Sequence, residues 1–175
     1  VIQDKSGRIW MATWGAGICM KQGDQFFQFS EKEGLSCNLV TQLFEDSKER
    51  IWFGTEYGGL GIIEDGKWIS MCKREGLMEE TILDFQEAID GTMFIATYGL
   101  GLCSYDGEEF TYWDKDAGIA ESQIWSLLRD HQGDIWIGTW GEHIYRWSNG
   151  WMHRAILSNE MTCGPAMSMV EDRNE

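Results

Sequence analysis

Short apolar runs alternate with turn residues along this chain, and one run recurs at a fixed spacing. The run Ile135-Trp136-Ile137-Gly138-Thr139 has three earlier counterparts, which begin at Ile9, Ile51 and Met93. The threonines that end them, at positions 13, 55, 97 and 139, are each 42 residues apart. A fixed period of about 20 to 50 residues is typical of repeat architectures.

Each 42-residue unit contains four short runs, separated by turns that carry Asp or Gly. In the second unit the runs are 40–45, 50–55, 59–64 and 67–72. Asp caps its own turn and Gly accepts a positive φ, so both residues indicate tight turns. Runs rich in Ile, Trp, Phe and Thr with short turns predict an antiparallel meander, and no segment shows a helical period. Four strands per unit predict an all-β fold, a β-propeller built of four-stranded blades.

A blade cannot bury both of its faces alone, so large side chains are expected where one blade packs on the next. The second strand of each unit supplies an aromatic residue for this position: Trp10, Trp52, Phe94 and Trp136. Two residues later the chain has a small residue that allows close packing of sheets: Ala12, Gly54, Ala96 and Gly138. The threonine that follows suits a strand end, where its hydroxyl can bond a neighbouring turn.

The period predicts a single partial propeller over 1–175. Its blades are expected at about 1–39, 40–81, 82–123 and 124–165, and 166–175 would begin a fifth blade with an inner strand at 166–171. Val1 and Met169 occupy the same position of the repeat, so two inner strands would compete for one place in a closed four-bladed ring. An arc of a larger propeller is therefore favoured, and a closed ring or two paired arcs are the alternatives. Because the chain opens within a predicted strand, we expect it to be a piece of a longer protein.

Composition and charge exclude several classes of partner. Hydrophobic residues make up 43% of the chain and include 10 Trp, enough for a packed core. With 14 basic and 29 acidic residues, the net charge of −15 would repel nucleic acid and anionic membrane surfaces. No apolar run approaches the roughly 18 residues of a membrane span. The five cysteines have no metal or redox spacing, and free thiols are expected.

The repeat itself resembles a known family. The pattern Asp-x-x-Gly-x-Ile-Trp-x-Gly-Thr-x-x-Gly-Gly-Leu is matched at 130–141, and at 46–60 with Gly76-Leu77 following. It resembles the two-component regulator propeller repeat. This resemblance implies the sensor part of a bacterial hybrid histidine kinase, periplasmic or otherwise extracytoplasmic, in a family where carbohydrate-responsive members are common. The fourth blade departs from the pattern, since Glu142-His143 replaces the Gly pair.

Candidate ligand-binding residues follow from the propeller architecture. The loops between second and third strands and the loops between blades share the face around the channel mouth, and concave mouths are default ligand sites. The position after the threonine holds Trp14, Glu56, Tyr98 and Trp140, and the inter-blade loops add Asn38 and Glu80. Flat aromatic rings suit sugars or apolar faces, and carboxylates bind hydroxyls or cations. The alternative is that these side chains pack on the adjacent loop.

Signals for catalysis are weak. His131, His143 and His153 fall in different parts of the fourth blade and form no ligand cluster of known spacing. The sequence contains no calcium loop, phosphate-binding loop or nucleophile elbow, so no catalytic residue, metal or cofactor is expected. The leading hypothesis is a sensor that binds a small, possibly carbohydrate, ligand. A protein-interaction or self-associating scaffold with exposed strand edges is the alternative, and a propeller lyase or hydrolase is less favoured.

Overall fold

The computed structural model describes residues 1–71, 80–155 and 164–172. Contacts divide the chain into two compact units, Val1–Ile82 and Leu83–Glu175. The predicted Gly76-Leu77 pair, Cys72 and Cys163 lie outside the described residues.

The described residues form four four-stranded antiparallel sheets in which each strand pairs with the next along the chain. The first sheet contains β1 (Ile2–Gln3), β2 (Ile9–Ala12), β3 (Ile18–Gln22) and β4 (Gln25–Phe29). The second contains β5 (Val40–Glu45), β6 (Ile51–Thr55), β7 (Leu60–Glu64) and β8 (Lys67–Ser70). The third contains β9 (Ile82–Glu87), β10 (Met93–Thr97), β11 (Leu102–Tyr105) and β12 (Phe110–Trp113). The fourth contains β13 (Ile124–Arg129), β14 (Ile135–Thr139), β15 (Ile144–Ser148) and β16 (Trp151–Arg154). The predicted meander of four strands per unit is confirmed.

One short 3₁₀ helix interrupts the all-β pattern at Glu31–Glu33, between the first two sheets. Ser30 caps it in a capping box with Glu33, and Gly34 ends it with a φ of 108°. Three residues are too few to show a helical period in the sequence, so periodicity could not predict this element.

An aspartate carboxylate holds the second-strand tryptophan in three of the four sheets, and it is buried in the first two and half-buried in the fourth. Its Oδ2 accepts a hydrogen bond from the indole Nε1 six residues later, at 2.7 to 2.8 Å: Asp4 from Trp10, Asp46 from Trp52 and Asp130 from Trp136. In the third sheet both partners change together, since Ala88 replaces the acid and Phe94 replaces the indole. The donor and its acceptor are thus present or absent as a pair.

The expected burial of these aromatic rings is confirmed. Trp10, Trp52 and Phe94 are 3%, 0% and 1% exposed, and Trp136 is half-buried. In the first unit, residues of both sheets share one apolar core, which includes Trp10, Ile18, Val40 and Phe53. In the second unit, residues of its two sheets likewise share one apolar core, which includes Phe94, Leu102, Ile124 and Ile137. Within each unit, therefore, one blade packs face to face on the next.

Residues 164–172 form no strand, although 166–171 was predicted as the inner strand of a fifth blade. The segment nevertheless contacts the fourth sheet as β5 contacts the first. Ala166 N donates to Thr139 O at 2.9 Å, just as Val40 N donates to Thr13 O at 3.1 Å. Among the described residues no further strand pairs with this segment, so it has no ladder of its own. Its position agrees with the repeat even though its secondary structure does not.

No helix among the described residues has the length and apolar character that a membrane crossing requires. Cys19, Cys37 and Cys103 are present as thiols, as expected from the cysteine spacing.

Candidate functional site

The threonine that ends each second strand closes the turn that carries the candidate residues. Its hydroxyl donates to the backbone carbonyl four residues later at 2.7 to 2.8 Å: Thr13 to Gly17, Thr55 to Gly59, Thr97 to Gly101 and Thr139 to His143. The last three of these threonines are fully buried. This confirms the predicted role of the threonine, and it gives the residue after each threonine a fixed place on a rigid turn.

In the first unit, Trp14 and Glu56 lie on either side of Leu39. Trp14 forms an isolated antiparallel bridge with Leu39, and Glu56 N donates to Leu39 O at 2.8 Å. The Trp14 side chain is 70% exposed, so it does not pack on the adjacent loop. The first unit therefore has an exposed indole, Trp14, and a half-buried Glu56 next to the same loop residue.

Two inter-blade candidates have structural contacts. Asn38 Oδ1 accepts a hydrogen bond from Glu31 N at 2.9 Å, and Asn38 N donates to Glu31 Oε1 at 3.1 Å. These reciprocal bonds hold the 3₁₀ helix against the loop and occupy the amide oxygen. Glu80 O accepts from Gly59 N at 3.1 Å, and Glu80 Oε1 accepts from Thr81 N at 3.2 Å.

In the second unit, two candidate residues are brought together by a third aromatic residue that sequence reasoning missed. Trp125 lies 4.9 Å from Trp140 with the rings tilted by 35°, and 6.4 Å from Tyr98 in an edge-on arrangement, centroid to centroid. Tyr98 and Trp140 are 48% and 46% exposed. We call Tyr98, Trp125 and Trp140 the aromatic trio. The Trp125 Nε1 atom is buried and has no hydrogen-bond partner among the described residues.

A β-bulge places Trp125 in the trio. Ile124 pairs with Thr139 and Ser126 pairs with Gly138, so Trp125 is an extra residue on β13. The equivalent position in the second sheet has the same shift and holds Thr41. Trp125 is the one aromatic residue at this position of the repeat, and that departure was the available signal in the sequence.

A second group of side chains lies beside the trio and also departs from the repeat. The Tyr145 hydroxyl donates to Glu121 Oε2 at 2.6 Å, and His143 Nδ1 pairs with Glu121 Oε1. Glu121 also lies close to Gly141, the neighbour of Trp140, since a Cβ placed on Gly141 would lie 2.9 Å from Glu121 Cγ. Burial raises the pKa of Tyr145, and the hydrogen bond to Glu121 raises it further.

This group ties the inter-blade loop at 120–122 to the third strand of the fourth sheet. Its residues occupy positions that hold Gly or Cys in the first blade, at Cys37, Gly17 and Cys19. Among the described residues no group of His, Cys, Asp and Glu could hold a metal ion. The arrangement offers hydrogen-bonding groups next to an aromatic surface.

Two segments of the chain match the sequence profile of a known family. The family profile described as two component regulator propeller matches residues 34–57 and 118–141. These two segments are similar to the two-component regulator propeller repeat. Each matched segment contains an inter-blade loop, the first two strands of a blade and the residue after the threonine. Together the segments include four residues of the candidate sites: Glu56, Glu121, Trp125 and Trp140.

Solved structures share the propeller fold of these repeats. An extracellular domain assigned to a hybrid two component system of B. thetaiotaomicron aligns with a TM-score of 0.76 and 22% identity, over 89% of this chain and 22% of that chain. A virginiamycin B lyase from Staphylococcus aureus aligns with a TM-score of 0.72 and 11% identity, over 91% of this chain and 55% of that chain. PorZ, a surface component of the type-IX secretion system of Porphyromonas gingivalis, aligns with a TM-score of 0.65 and 14% identity, over 90% of this chain and 27% of that chain.

This chain spans less than a quarter of the first of these structures. At these identities the likeness shows the fold alone. No curated protein matches the chain in sequence.

Proposed function

We propose that this chain is a ligand-sensing part of a bacterial two-component regulator, located outside the inner membrane, and that it is not itself an enzyme. The repeat family and the extracellular domains with the same fold support this assignment. The periplasm is the compartment we propose, because a sensor there can meet small nutrients before they enter the cell.

The aromatic trio is the observation that carries the proposal. Two half-exposed rings, Tyr98 and Trp140, both contact the ring of Trp125. Rings exposed next to hydrogen-bonding groups fit a ligand that has apolar faces and hydroxyl edges. A carbohydrate has this chemistry, with its C–H faces against the indole and its hydroxyls toward groups such as Glu121 and His143.

A titration series with soluble oligosaccharides tests this proposal, with tryptophan fluorescence as the readout. We expect at least one oligosaccharide to change the fluorescence saturably. Trp140→Ala should then weaken binding by about two- to tenfold, since an aromatic contact contributes roughly 0.5–1.5 kcal/mol. Trp151→Ala is the matched control, because Trp151 lies on β16 of the same sheet and is 73% exposed.

Two results would contradict the proposal. One is the absence of a saturable response to every oligosaccharide tested. The other is equal loss of affinity in Trp140→Ala and Trp151→Ala, which would mean that the trio is not the site.

A second candidate function is self-association through an outer strand. Phe26 and Phe27 on β4 are 67% and 40% exposed, next to each other on the edge of the first sheet. Exposed apolar edges invite pairing with another chain. Sedimentation velocity of the chain and of a Phe26→Lys variant would test it, since the variant should shift a dimer to monomer.

A further inference from the structure

A cavity of about 550 Å³ lies between the first two blades, within the first unit. This volume falls in the range of small-molecule sites, about 300–1,000 Å³. Its walls include the turns after β1 and β5, at the end of each sheet away from the threonine-closed turns. In the first unit it is therefore separate from the surface around Trp14 and Glu56.

Aromatic side chains form the inner wall of this cavity. Phe29 stacks on Trp10 at 6.3 Å between ring centroids and contacts Trp68 at 4.9 Å. Phe29 and Trp68 are half-buried, so part of each ring faces the cavity. A flat apolar ligand could lie against them.

Two guanidinium groups form a polar wall with a fixed orientation. Arg8 Nε donates to Asp4 at 2.5 Å and Arg50 Nε donates to Asp46 at 2.6 Å. Each guanidinium also lies over an indole, with its carbon 5.3 Å from the Trp10 centroid and 5.4 Å from the Trp52 centroid. Among the described residues, no hydrogen bond involves the terminal nitrogens of either arginine. These nitrogens form the planar fork that matches a carboxylate.

Three basic and three acidic residues line the cavity, and Asp4 and Asp46 pair with the two arginines, so the fork geometry and not the net charge would select a ligand. Lys48, Glu49, Glu64 and Asp65 also line the cavity, and all four are exposed at its rim. Rim charges are well solvated and contribute little. The arginines are more buried, with side chains 32% and 17% exposed.

The second unit provides an internal comparison. The cavity at the equivalent position of its two blades is about 240 Å³ and is lined by Ile89, Asp134 and Trp147 among others. Thr92 and Asp134 stand where the first unit has Arg8 and Arg50. Ile89 fills space there, since a Cβ on Gly133 would lie 2.1 Å from Ile89 Cδ1. The repeat therefore does not require arginines at this position, and the larger cavity with its two forks is particular to the first unit.

We propose that the cavity between the first two blades binds a small aromatic carboxylate. The ring lies against Phe29 and Trp68, and the carboxylate accepts hydrogen bonds from the forks of Arg8 and Arg50. This site does not depend on the aromatic trio or on the function proposed for it.

Binding of 2-naphthoate to the intact chain tests the proposal, with neutral 2-naphthylmethanol as the matched probe. We expect naphthoate to bind at least about tenfold more tightly than the alcohol, because the alcohol has the same ring without the carboxylate. The arginine side-chain resonances in ¹⁵N NMR should shift for Arg8 and Arg50 and remain in place for Arg129 and Arg154. This readout requires no variant.

Substitutions give a second readout by calorimetry. Arg8→Lys combined with Arg50→Lys keeps both charges and removes both forks, so naphthoate affinity should fall about tenfold. Lys115→Glu, an exposed change outside the cavity, is the control and should leave the affinity unchanged. The proposal is overturned if naphthoate does not bind, if both probes bind alike, or if the shifted resonances belong to other arginines.

Discussion

Because a buried Asp accepts a hydrogen bond from an indole, substitutions of the two residues should not be additive in their effect on the free energy of unfolding. Asp46 is 1% exposed. Its Oδ2 accepts from Trp52 Nε1 at 2.8 Å and from Arg50 Nε at 2.6 Å. Its Oδ1 accepts from the backbone N of Lys48 and of Arg50 at 3.0 and 2.9 Å. Asp46→Ala removes all four of these acceptor contacts at once.

The expected cost follows from what the substitution leaves behind. The indole N–H of fully buried Trp52 would be left without Asp46 as its acceptor, which costs about 1–3 kcal/mol. Removing one partner of a buried ion pair costs about 3–5 kcal/mol, but Arg50 is 17% exposed and can regain water. Because these two effects overlap, we expect Asp46→Ala to lower the free energy of unfolding by about 3 kcal/mol.

The third blade shows how the same position is stable without the acid. Ala88 and Phe94 are 3% and 1% exposed, and a phenyl ring has no donor to satisfy. Asp90 Oδ1 there accepts from Thr92 N at 3.0 Å and so caps part of the turn. We therefore expect the double variant Asp46→Ala/Trp52→Phe to be more stable than the sum of the single changes predicts, by about 1–3 kcal/mol.

Urea unfolding followed by far-UV circular dichroism measures the four corners of this cycle. The control cycle pairs Trp52→Phe with Asp114→Ala, since Asp114 caps a turn through Asp116 N and Ala117 N. That control should be additive within about 0.5 kcal/mol. Additivity of the Asp46 and Trp52 changes within the same margin would refute the reasoning.

Three further predictions concern the tail, the sheet packing and the turn. Glu171 pairs with the ring and backbone N of His131, and this raises the pKa of His131 above its ordinary 6.5 and lowers that of Glu171 below its ordinary 4.5. The ion pair should therefore hold 166–172 best between about pH 4.5 and 6.5, and it should weaken above the raised His131 pKa and below the lowered Glu171 pKa. Amide hydrogen exchange of 166–172 measures this pH profile, and His131→Gln should flatten it. A Cβ on Gly54 would lie 2.6 Å from Ile82 Cβ, so Gly54→Ala should lower the free energy of unfolding by about 1–3 kcal/mol, as measured by thermal denaturation. Ala96→Gly, at the same position of the third blade, should lower it by only about 0.5–1 kcal/mol. Thr97→Val removes the bonds to Gly101 O and from Leu100 N, so it should cost about 1–2 kcal/mol and weaken any ligand that contacts Tyr98, and the exposed Thr111→Val should do neither.

The period of 42 residues predicted the sheets well because turn chemistry and burial are both local in the sequence. In the second blade, the predicted runs at 40–45 and 59–64 became β5 and β7 with shifts of at most one residue. The threonine hydroxyl was also predicted to bond a turn, since a strand end leaves a carbonyl within its reach. The paired loss at Ala88 and Phe94 was visible in the sequence, but its meaning depends on a hydrogen bond that only the structure shows.

The candidate site was only partly predictable. The position after the threonine identified Tyr98 and Trp140, but Trp125 entered the trio through a bulge, and strand alternation does not reveal bulges. Asn38 was a candidate by its loop, yet its amide oxygen holds Glu31 N, a contact seven residues away that no repeat position encodes. The cavity with Arg8 and Arg50 depends on two blades packing together, so sequence reasoning about single blades missed it.

The most direct test of the ligand-sensing proposal is ¹⁹F NMR of the chain labelled with 5-fluorotryptophan. Its 10 tryptophans can be assigned by single substitutions, and only some of them lie near the trio. On saturation with an oligosaccharide that binds, the resonances of Trp125 and Trp140 should shift while that of Trp151 stays in place. Shifts confined to tryptophans outside the trio would contradict the proposed site.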